Sequence, residues 1–129
     1  MSPLSLWAPV ILQMAIIFGV SSMSKPGVPG GLSDNTGHFI GYALLAVLFV
    51  RALAGGRVHG ITWRVMLLAV LCATLYGVSD ELHQALVPGR TPDPADVVVD
   101  ALGASAGAAM CRLLRVVSAA WKRRPSRVN

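Results

Sequence analysis

Four long apolar segments limit what this chain can fold into more than any other feature. They span residues 4–22, 37–55, 63–87 and 95–120. About 20 mostly apolar residues in a helix cross the hydrocarbon core of a bilayer. The chain is 54% hydrophobic and only 13% charged, which is unusual for a soluble domain. The first segment lacks the basic start and cleavage site of a signal peptide, so we expect it to be retained. The sequence therefore predicts one domain, residues 1–129, that folds as an all-α integral membrane four-helix bundle.

The basic residues predict the orientation of this bundle. Nine of them lie at the middle connector or the C-terminal end, whereas the other two connectors hold only Lys25 and Arg90. Because basic residues favour the cytoplasmic side, we expect both termini and the middle connector there, with the tryptophans at the same interface. The basic residues are not gathered into a solvated patch, so the sequence predicts no nucleic-acid partner, and the basic tail is expected to contact anionic lipid. The residues concerned are Arg51, Arg57, Arg64, Arg112, Arg115, Lys122, Arg123, Arg124 and Arg127, with Trp7, Trp63 and Trp121.

All six acidic residues lie on the opposite side from the basic ends, together with two of the three histidines. The predicted topology places this concentration at the outer face of the membrane. An acidic and imidazole cluster in so apolar a chain is the strongest candidate for a functional site, and we expect that site to face outside. Its members are Asp34, Asp80, Glu81, Asp93, Asp96 and Asp100, with His38 and His83.

The polar residues of the last three segments recur at helical spacing, so each segment presents one polar stripe. Ionisable groups within a span cost about 2.5–3.5 kcal/mol each, so they should face the bundle interior or water. The predicted site therefore lies between the second, third and fourth helices. The stripes consist of Asp34, His38 and Tyr42; of Tyr76, Asp80, His83 and Gln84, with Glu81 on the flank; and of Asp96, Asp100, Gly103 and Gly107.

Small residues spaced four apart predict close contact between the second and fourth helices. The motifs are "GHFIG" at residues 37–41 and "GASAG" at residues 103–107. Such packing would bring His38 towards Asp96 and Asp100. The two tyrosines, Tyr42 and Tyr76, are expected to hydrogen-bond Asp80 or His38, and the fourth helix is expected to be capped by Asp93 or Thr91. Cys72 and Cys111 have no metal-like spacing and are predicted to be buried free thiols.

These patterns nominate residues for three kinds of role. Candidate acid or base groups are Asp80, Glu81, His83 and His38. A divalent metal is a candidate cofactor because a cation would neutralise the crowded carboxylates, although no complete metal motif is present. Its candidate ligands are His38, Asp80, His83 and Asp100. Arg90 is expected to bind a phosphate or carboxylate, for which its planar guanidinium is suited. The predicted ligand-binding set is Asp34, His38, Tyr42, Tyr76, Asp80, Glu81, His83, Gln84, Arg90, Asp96 and Asp100.

The stretch "YGVSDELHQALVPGR" at residues 76–90, followed by "DPADVVVDALGASAG" at residues 93–107, resembles the VanZ-like family of small bacterial membrane proteins. The family pattern is a helix ending in YG-x-x-DE-x-HQ, a PGR turn, and Asp-x-x-x-Asp with glycines after it. Upstream, "SSMSKP" and "DNTGHFIGYALL" are similar to it too, but Asn35 stands where the family typically has lysine. The resemblance implies a protein of the bacterial cytoplasmic membrane and cell envelope, linked to resistance against teicoplanin-type lipoglycopeptide antibiotics.

Several functions are consistent with these features. The first is a non-enzymatic protein that binds a lipid headgroup or a lipidated small molecule through the acidic and histidine site. The second is a metal-assisted hydrolase or transferase acting on an envelope lipid or lipid-linked precursor. The third is a purely structural protein in which the polar residues only join the helices. The inner halves of the segments are almost purely apolar, which argues against a monomeric channel, and a homo-oligomer remains an open alternative.

Overall fold

The computed structural model describes residues 1–24 and 33–122, and these ranges contain four long helices and no strand. The all-α four-helix bundle predicted from the sequence is confirmed. The predicted segments agree with the helices to within a few residues. Lys25, Arg123, Arg124, Arg127 and part of "SSMSKP", on which predictions above rest, lie outside the described residues. The helices are α1 (Pro3–Ser21), α2 (Asp34–Leu53), α3 (Trp63–Gln84) and α4 (Pro94–Lys122), with a short 3-10 turn at Val58–Gly60.

Each helix begins at a residue whose side chain accepts a hydrogen bond from a free backbone N–H of the first turn. Ser2, Ser33 and Thr62 do so for α1, α2 and α3. Asp93 does so for α4 by accepting from the amide of Ala95 at 2.9 Å, so the predicted cap is Asp93 and not Thr91. The polar residues next to the apolar segments therefore determine where each helix begins.

The helix α3 ends at Gln84, three residues before the predicted boundary. Pro88 disfavours helical geometry in the residue before it, so the chain leaves the helix earlier. The following turn uses Gly89 at φ 82°, a left-handed conformation that glycine adopts without strain. This turn brings Arg90 back over the end of the bundle.

The four helices alternate in direction. Ser21 near the end of α1 contacts Asp80 near the end of α3, while His38 near the start of α2 contacts Asp100 near the start of α4. The C-terminal ends of α1 and α3 therefore share one end of the bundle with the N-terminal ends of α2 and α4. We call this the acidic end, because the acidic residues of α2, α3, α4 and the connector before α4 lie there.

The helices α2 and α4 pack closely through the glycines of α4. A Cβ atom on Gly103 would lie 2.3 Å from the Phe39 carbonyl oxygen, and one on Gly107 would lie 2.2 Å from that of Ala43. Both glycines are buried. The predicted role of "GASAG" is confirmed. The predicted role of "GHFIG" is wrong for Gly41, because a Cβ there would meet no atom within 4 Å. Gly41 instead faces open space beside α1.

Many alanines are fully buried in the bundle core, while large apolar side chains cover much of the outside. Fully buried positions include Ala46, Ala69 and Ala104, whereas leucines such as Leu71 and Leu113 are more than half exposed. All four helices are long and apolar enough to cross a membrane. An apolar exterior on spans of this length is stable in lipid and not in water. The chain is therefore a multi-pass membrane protein.

At the basic end of the bundle, an arginine completes the backbone hydrogen bonding of α1. Pro9 lies inside α1 and has no N–H to donate to the carbonyl four residues earlier. That carbonyl belongs to Ser5, and it accepts a hydrogen bond from the Arg51 guanidinium at 3.1 Å instead. An unpaired carbonyl is costly in a membrane, so Arg51 compensates locally for the proline. Of the two free cysteines, Cys111 is buried as predicted and Cys72 is only partly buried.

Candidate functional site

The contact between α2 and α4 is centred on His38. Its Nδ1 lies 2.9 Å from Asp100 Oδ1, and its Nε2 lies 4.0 Å from Asp96 Oδ2. Asp100 is only 1% exposed. The close approach at Gly103 places the two helices near enough for this pairing. Residues on two predicted stripes are thus brought together at the acidic end, with both imidazole nitrogens directed at carboxylates.

Asp80 of α3 takes part in a second polar cluster, which includes α1. The Ser21 hydroxyl donates to Asp80 Oδ2 at 2.8 Å, and the Gln84 amide donates to the same oxygen at 3.0 Å. All three side chains are buried. The second carboxylate oxygen, Oδ1, is also buried and has no hydrogen-bond partner among the described residues. Asp80 therefore has one satisfied oxygen and one free oxygen.

The two tyrosines differ from the expectation that both bond Asp80 or His38. The Tyr76 hydroxyl donates to the backbone carbonyl of Met14 in α1 at 2.7 Å. The Tyr42 ring lies parallel to that of His38 with the centroids 6.3 Å apart, and the residue is only 1% exposed. Its hydroxyl finds no hydrogen-bond partner in the described part of the chain. The prediction is wrong for Tyr76 because α1 offers a carbonyl. The Tyr42 hydroxyl interacts with the predicted partner Asp80, but no hydrogen bond of normal geometry joins the two.

The side chain of His83 is directed towards α1. Its Nε2 lies 3.0 Å from the Ser22 hydroxyl, and its ring stacks on Phe18 at a centroid distance of 4.4 Å. The four candidate metal ligands therefore divide among separate contacts: His38 with Asp100, Asp80 with Ser21, and His83 with Ser22. Within residues 1–24 and 33–122, no three His, Cys, Asp or Glu side chains are grouped so that they could hold a metal ion.

Arg90 joins the connector after α3 to the neighbouring helix ends. Its Nε donates to the carbonyl of Met23 at 3.1 Å, and its NH1 lies 3.5 Å from Asp34 Oδ2. The arginine side chain is 9% exposed, whereas that of Asp34 is half exposed. The carboxylate that Arg90 contacts is thus one of the chain's own. One oxygen of Glu81 is buried without a hydrogen-bond partner among the residues described.

A cavity of about 290 Å³ opens between α1 and α2 at the acidic end. Its lining surface is mainly apolar, and α1 contributes Ile16, Ile17 and Val20 to it. Tyr42 and Asp80, both almost completely buried, lie at its floor, and the ion pair of Arg90 and Asp34 lies beside it. Gly37 and Gly41 also line it, and a Cβ on Gly41 would meet no atom within 4 Å. The lining is completed by Gln13, Ser21, Met23 and His38.

Most of the chain matches a known protein family. A model described as VanZ/LLP1 matches residues 5–115, which include every residue of the cavity and of the two polar clusters. The chain belongs to the VanZ/LLP1 family. No curated protein and no solved structure shows significant similarity to it.

In this VanZ/LLP1 chain, sequence reasoning missed the contribution of α1. Gln13 donates to the carbonyl of Gly41 at 3.2 Å, Ser21 bonds Asp80, and Ser22 contacts His83. Gln13 and Ser21 are eight residues apart, which places them on one stripe of a helix. The same test that identified the stripes of the other helices would have found this pair, although neither residue is charged.

The arrangement around the cavity separates apolar from polar contacts. Ile16, Ile17 and Val20 offer a surface for a hydrocarbon chain, while Tyr42 and Asp80 offer free hydrogen-bonding atoms. Binding pockets are commonly built in this way, with mostly apolar walls and a few polar groups that fix orientation. The geometry of the VanZ/LLP1 site is therefore suited to a molecule with an apolar tail and a polar head.

Proposed function

We propose that this VanZ/LLP1 protein binds one amphiphile, a membrane lipid or a lipidated small molecule, in the cavity between α1 and α2. The observation that carries the proposal is the cavity of about 290 Å³ between two spans, with apolar walls and two free polar atoms at its floor. A tail between α1 and α2 would meet Ile16, Ile17 and Val20. The head would lie at the acidic end of the bundle.

The packing of α1 supports entry from the surrounding lipid. This helix contacts α2 and only sparsely contacts α3, whereas α2 and α4 are held together by close backbone contact. Large apolar side chains such as Ile11 and Leu12 cover the rest of α1 and are exposed. An amphiphile already in the bilayer could therefore reach the cavity beside α1 without crossing the bundle core.

A binding role explains the unpartnered buried polar atoms, which a purely structural role does not explain. Hydrogen bonds between the helices explain His38, Asp100 and Ser21, but an interhelical network gains nothing from a buried hydroxyl and a buried carboxylate oxygen without partners. Catalysis with a metal would use candidate ligands that here contact separate partners. Binding is the function that the free groups and the apolar walls favour together.

We further propose that the acidic end faces the outside of the bacterial cytoplasmic membrane and that the bound molecule belongs to the cell envelope. Basic residues at the opposite end support this orientation through the positive-inside rule. A teicoplanin-type lipoglycopeptide, with its acyl chain, is a candidate ligand of this chemistry. Tolerance to it should then depend on the cavity, whereas tolerance to a glycopeptide without an acyl chain should not.

The test compares two glycine-to-leucine variants after purification from bacterial membranes. Gly41 lines the cavity, and Gly19 lies exposed on α1 outside it; neither has an atom within 4 Å of an added Cβ. Native mass spectrometry should show one bound amphiphile on the wild type and on Gly19→Leu after detergent exchange, and none on Gly41→Leu. Equal retention by the two variants would exclude the cavity as the binding site.

A further inference from the structure

Two polar atoms at the floor of the cavity have no protein partner. Tyr42 Oη and Asp80 Oδ1 are each buried and find no hydrogen bond within the described residues, and the two residues are 1% and 4% exposed. Both residues line the cavity, and the Tyr42 hydroxyl interacts with the Asp80 carboxylate without a hydrogen bond of normal geometry between them. Buried polar groups are nearly always paired, so two neighbouring exceptions on residues that line one cavity point to a ligand group that inserts between them and pairs with both.

The other polar groups around the cavity are already engaged. His38 bonds Asp100, and Gln13 donates to a backbone carbonyl. Arg90 bonds the Met23 carbonyl and lies beside Asp34. These contacts leave the floor as the place where a ligand head would gain most from new hydrogen bonds.

The charge at the floor favours a cationic head. Asp80 receives its hydrogen bonds from Ser21 and Gln84, which are neutral, and no Lys, Arg or His side chain pairs with it in residues 1–24 and 33–122. A carboxylate away from water is costly without a compensating cation. A primary ammonium carries that charge and three N–H donors, enough for Asp80 Oδ1 and the Tyr42 oxygen together. A hydroxyl would supply the donor without the charge.

We infer that the cavity selects amphiphiles bearing a primary ammonium group, which binds between Asp80 Oδ1 and Tyr42 Oη while the apolar chain lies against α1. This inference rests on the proposed function and names the chemical class of its ligand. Ile16, Ile17 and Val20 require only that the hydrocarbon chain of the ligand be apolar. The head group of the ligand therefore determines which amphiphile is preferred.

The experiment uses three probes with the same twelve-carbon chain. Dodecylammonium has charge and donors, dodecyltrimethylammonium has charge without donors, and dodecanol has a donor without charge. Binding to the full chain in a neutral detergent at pH 7 is measured by calorimetry. A hydrogen bond to a charged group is worth about 1.5–3 kcal/mol, so dodecylammonium should bind at least about tenfold more tightly than either of the others.

Two variants test whether Asp80 and Tyr42 cause the preference for dodecylammonium. Asp80→Asn keeps the side-chain shape and removes the charge, so dodecylammonium should lose its advantage over dodecanol. Tyr42→Phe removes only the free hydroxyl, so it should weaken dodecylammonium binding and leave dodecyltrimethylammonium unchanged. If Asp80→Asn does not fold, Tyr42→Phe still decides the question, because its loss of an unpartnered hydroxyl leaves the packing intact.

The outcomes separate this inference from the proposed function. Equal binding of the three probes, or a preference that persists in Asp80→Asn, would overturn the ammonium site. If Gly41→Leu abolishes that equal binding, the cavity still binds amphiphiles and only the inference fails. If Gly41→Leu leaves the binding of every probe unchanged, the proposed function fails as well.

Discussion

Tyr42 and Tyr76 lie next to each other, with ring centroids 6.4 Å apart, but their hydroxyls are in different states. That of Tyr76 donates to the Met14 carbonyl, whereas that of Tyr42 has no partner among the described residues. The difference arises because Tyr76 reaches the backbone of α1, while Tyr42 faces the cavity. Removing the Tyr76 hydroxyl should therefore lower the stability of the folded protein, whereas removing the Tyr42 hydroxyl should not.

We predict that Tyr76→Phe lowers the free energy of unfolding by about 0.5–1.5 kcal/mol, the usual net value of an intramolecular hydrogen bond. Tyr42→Phe should leave stability unchanged or raise it, because it removes a buried polar group without a partner. Thermal unfolding of the two variants in the same detergent, without added amphiphile, measures both effects. A larger loss of stability for Tyr42→Phe than for Tyr76→Phe would show that the Tyr42 hydroxyl is paired inside the protein.

At this scale the sequence predicted contacts between charged residues better than contacts of neutral ones. The spacing of His38, Asp96 and Asp100 on two helices anticipated their meeting at 2.9 and 4.0 Å. Ser21 was not anticipated as a partner of Asp80, because the stripe that it forms with Gln13 on α1 carries no charge. The tyrosine contacts depended on which helix each ring faces, and side-chain spacing along one helix does not contain that information.

Among the elements, the contact of α2 with α4 depends on glycine at two positions of α4. We predict that Gly103→Ala lowers stability by about 1–3 kcal/mol, the typical cost of overpacking, because its Cβ would lie 2.3 Å from the Phe39 carbonyl oxygen. The helices would have to separate, which also strains the contact of His38 with Asp100.

The matched control for that change is Gly41→Ala, whose Cβ meets no atom within 4 Å. It should be neutral or stabilise the helix by up to about 1 kcal/mol, as alanine does relative to glycine. Thermal unfolding compares the two variants. Equal losses of stability would contradict the close approach of α2 and α4 at Gly103.

The pairing of α1 with α2 at the basic end gives a second prediction. Arg51→Met should lower stability by about 1–3 kcal/mol, because the Ser5 carbonyl opposite Pro9 loses its donor. In a Pro9→Ala background the alanine N–H can bond that carbonyl, so the same arginine change should cost less. A double-mutant cycle of unfolding free energies measures this coupling. Additive effects would mean that Arg51 does not replace the proline's missing hydrogen bond.

Element boundaries were predictable where a cap or a proline marks them. Asp93 caps α4, which begins at Pro94, and Pro88 limits how far α3 can extend. The two small-residue motifs could not be told apart from sequence, because a small residue permits both close packing and open space. GASAG packs against a backbone and GHFIG lines a cavity, and the difference depends on which helices are neighbours in space.

For the whole molecule, the separation of basic from acidic residues predicts which end faces outside. Single cysteines at two exposed connector positions, in a chain with Cys72 and Cys111 replaced by alanine, test this orientation. Thr91→Cys should react with a membrane-impermeant thiol reagent in intact cells, and Arg57→Cys only after permeabilisation. The reverse pattern of labelling would place the acidic end inside.

The sequence predicted that the acidic residues gather at one end of the molecule, but it did not predict the cavity there. Polar stripes on three helices located the acidic end, and the resemblance to the VanZ-like family agrees with the family match over residues 5–115. The cavity depends on the fourth partner, α1, whose side chains facing the cavity are mostly apolar and whose position beside α2 follows from tertiary packing. Apolar residues that line a cavity and those that face lipid have the same composition, so only the structure distinguishes them.

Site-resolved photolabelling in membranes can show whether an amphiphile lies between α1 and α2. An alkylamine with a diazirine at the end of its chain is added to membranes containing the protein, and mass spectrometry locates the labelled residues. We predict saturable labelling of Ile16, Ile17 and Val20 that disappears in Gly41→Leu and persists in Gly19→Leu. Labelling spread evenly over the exposed faces of the helices, without saturation and unaffected by Gly41→Leu, would mean that no amphiphile binds specifically between α1 and α2.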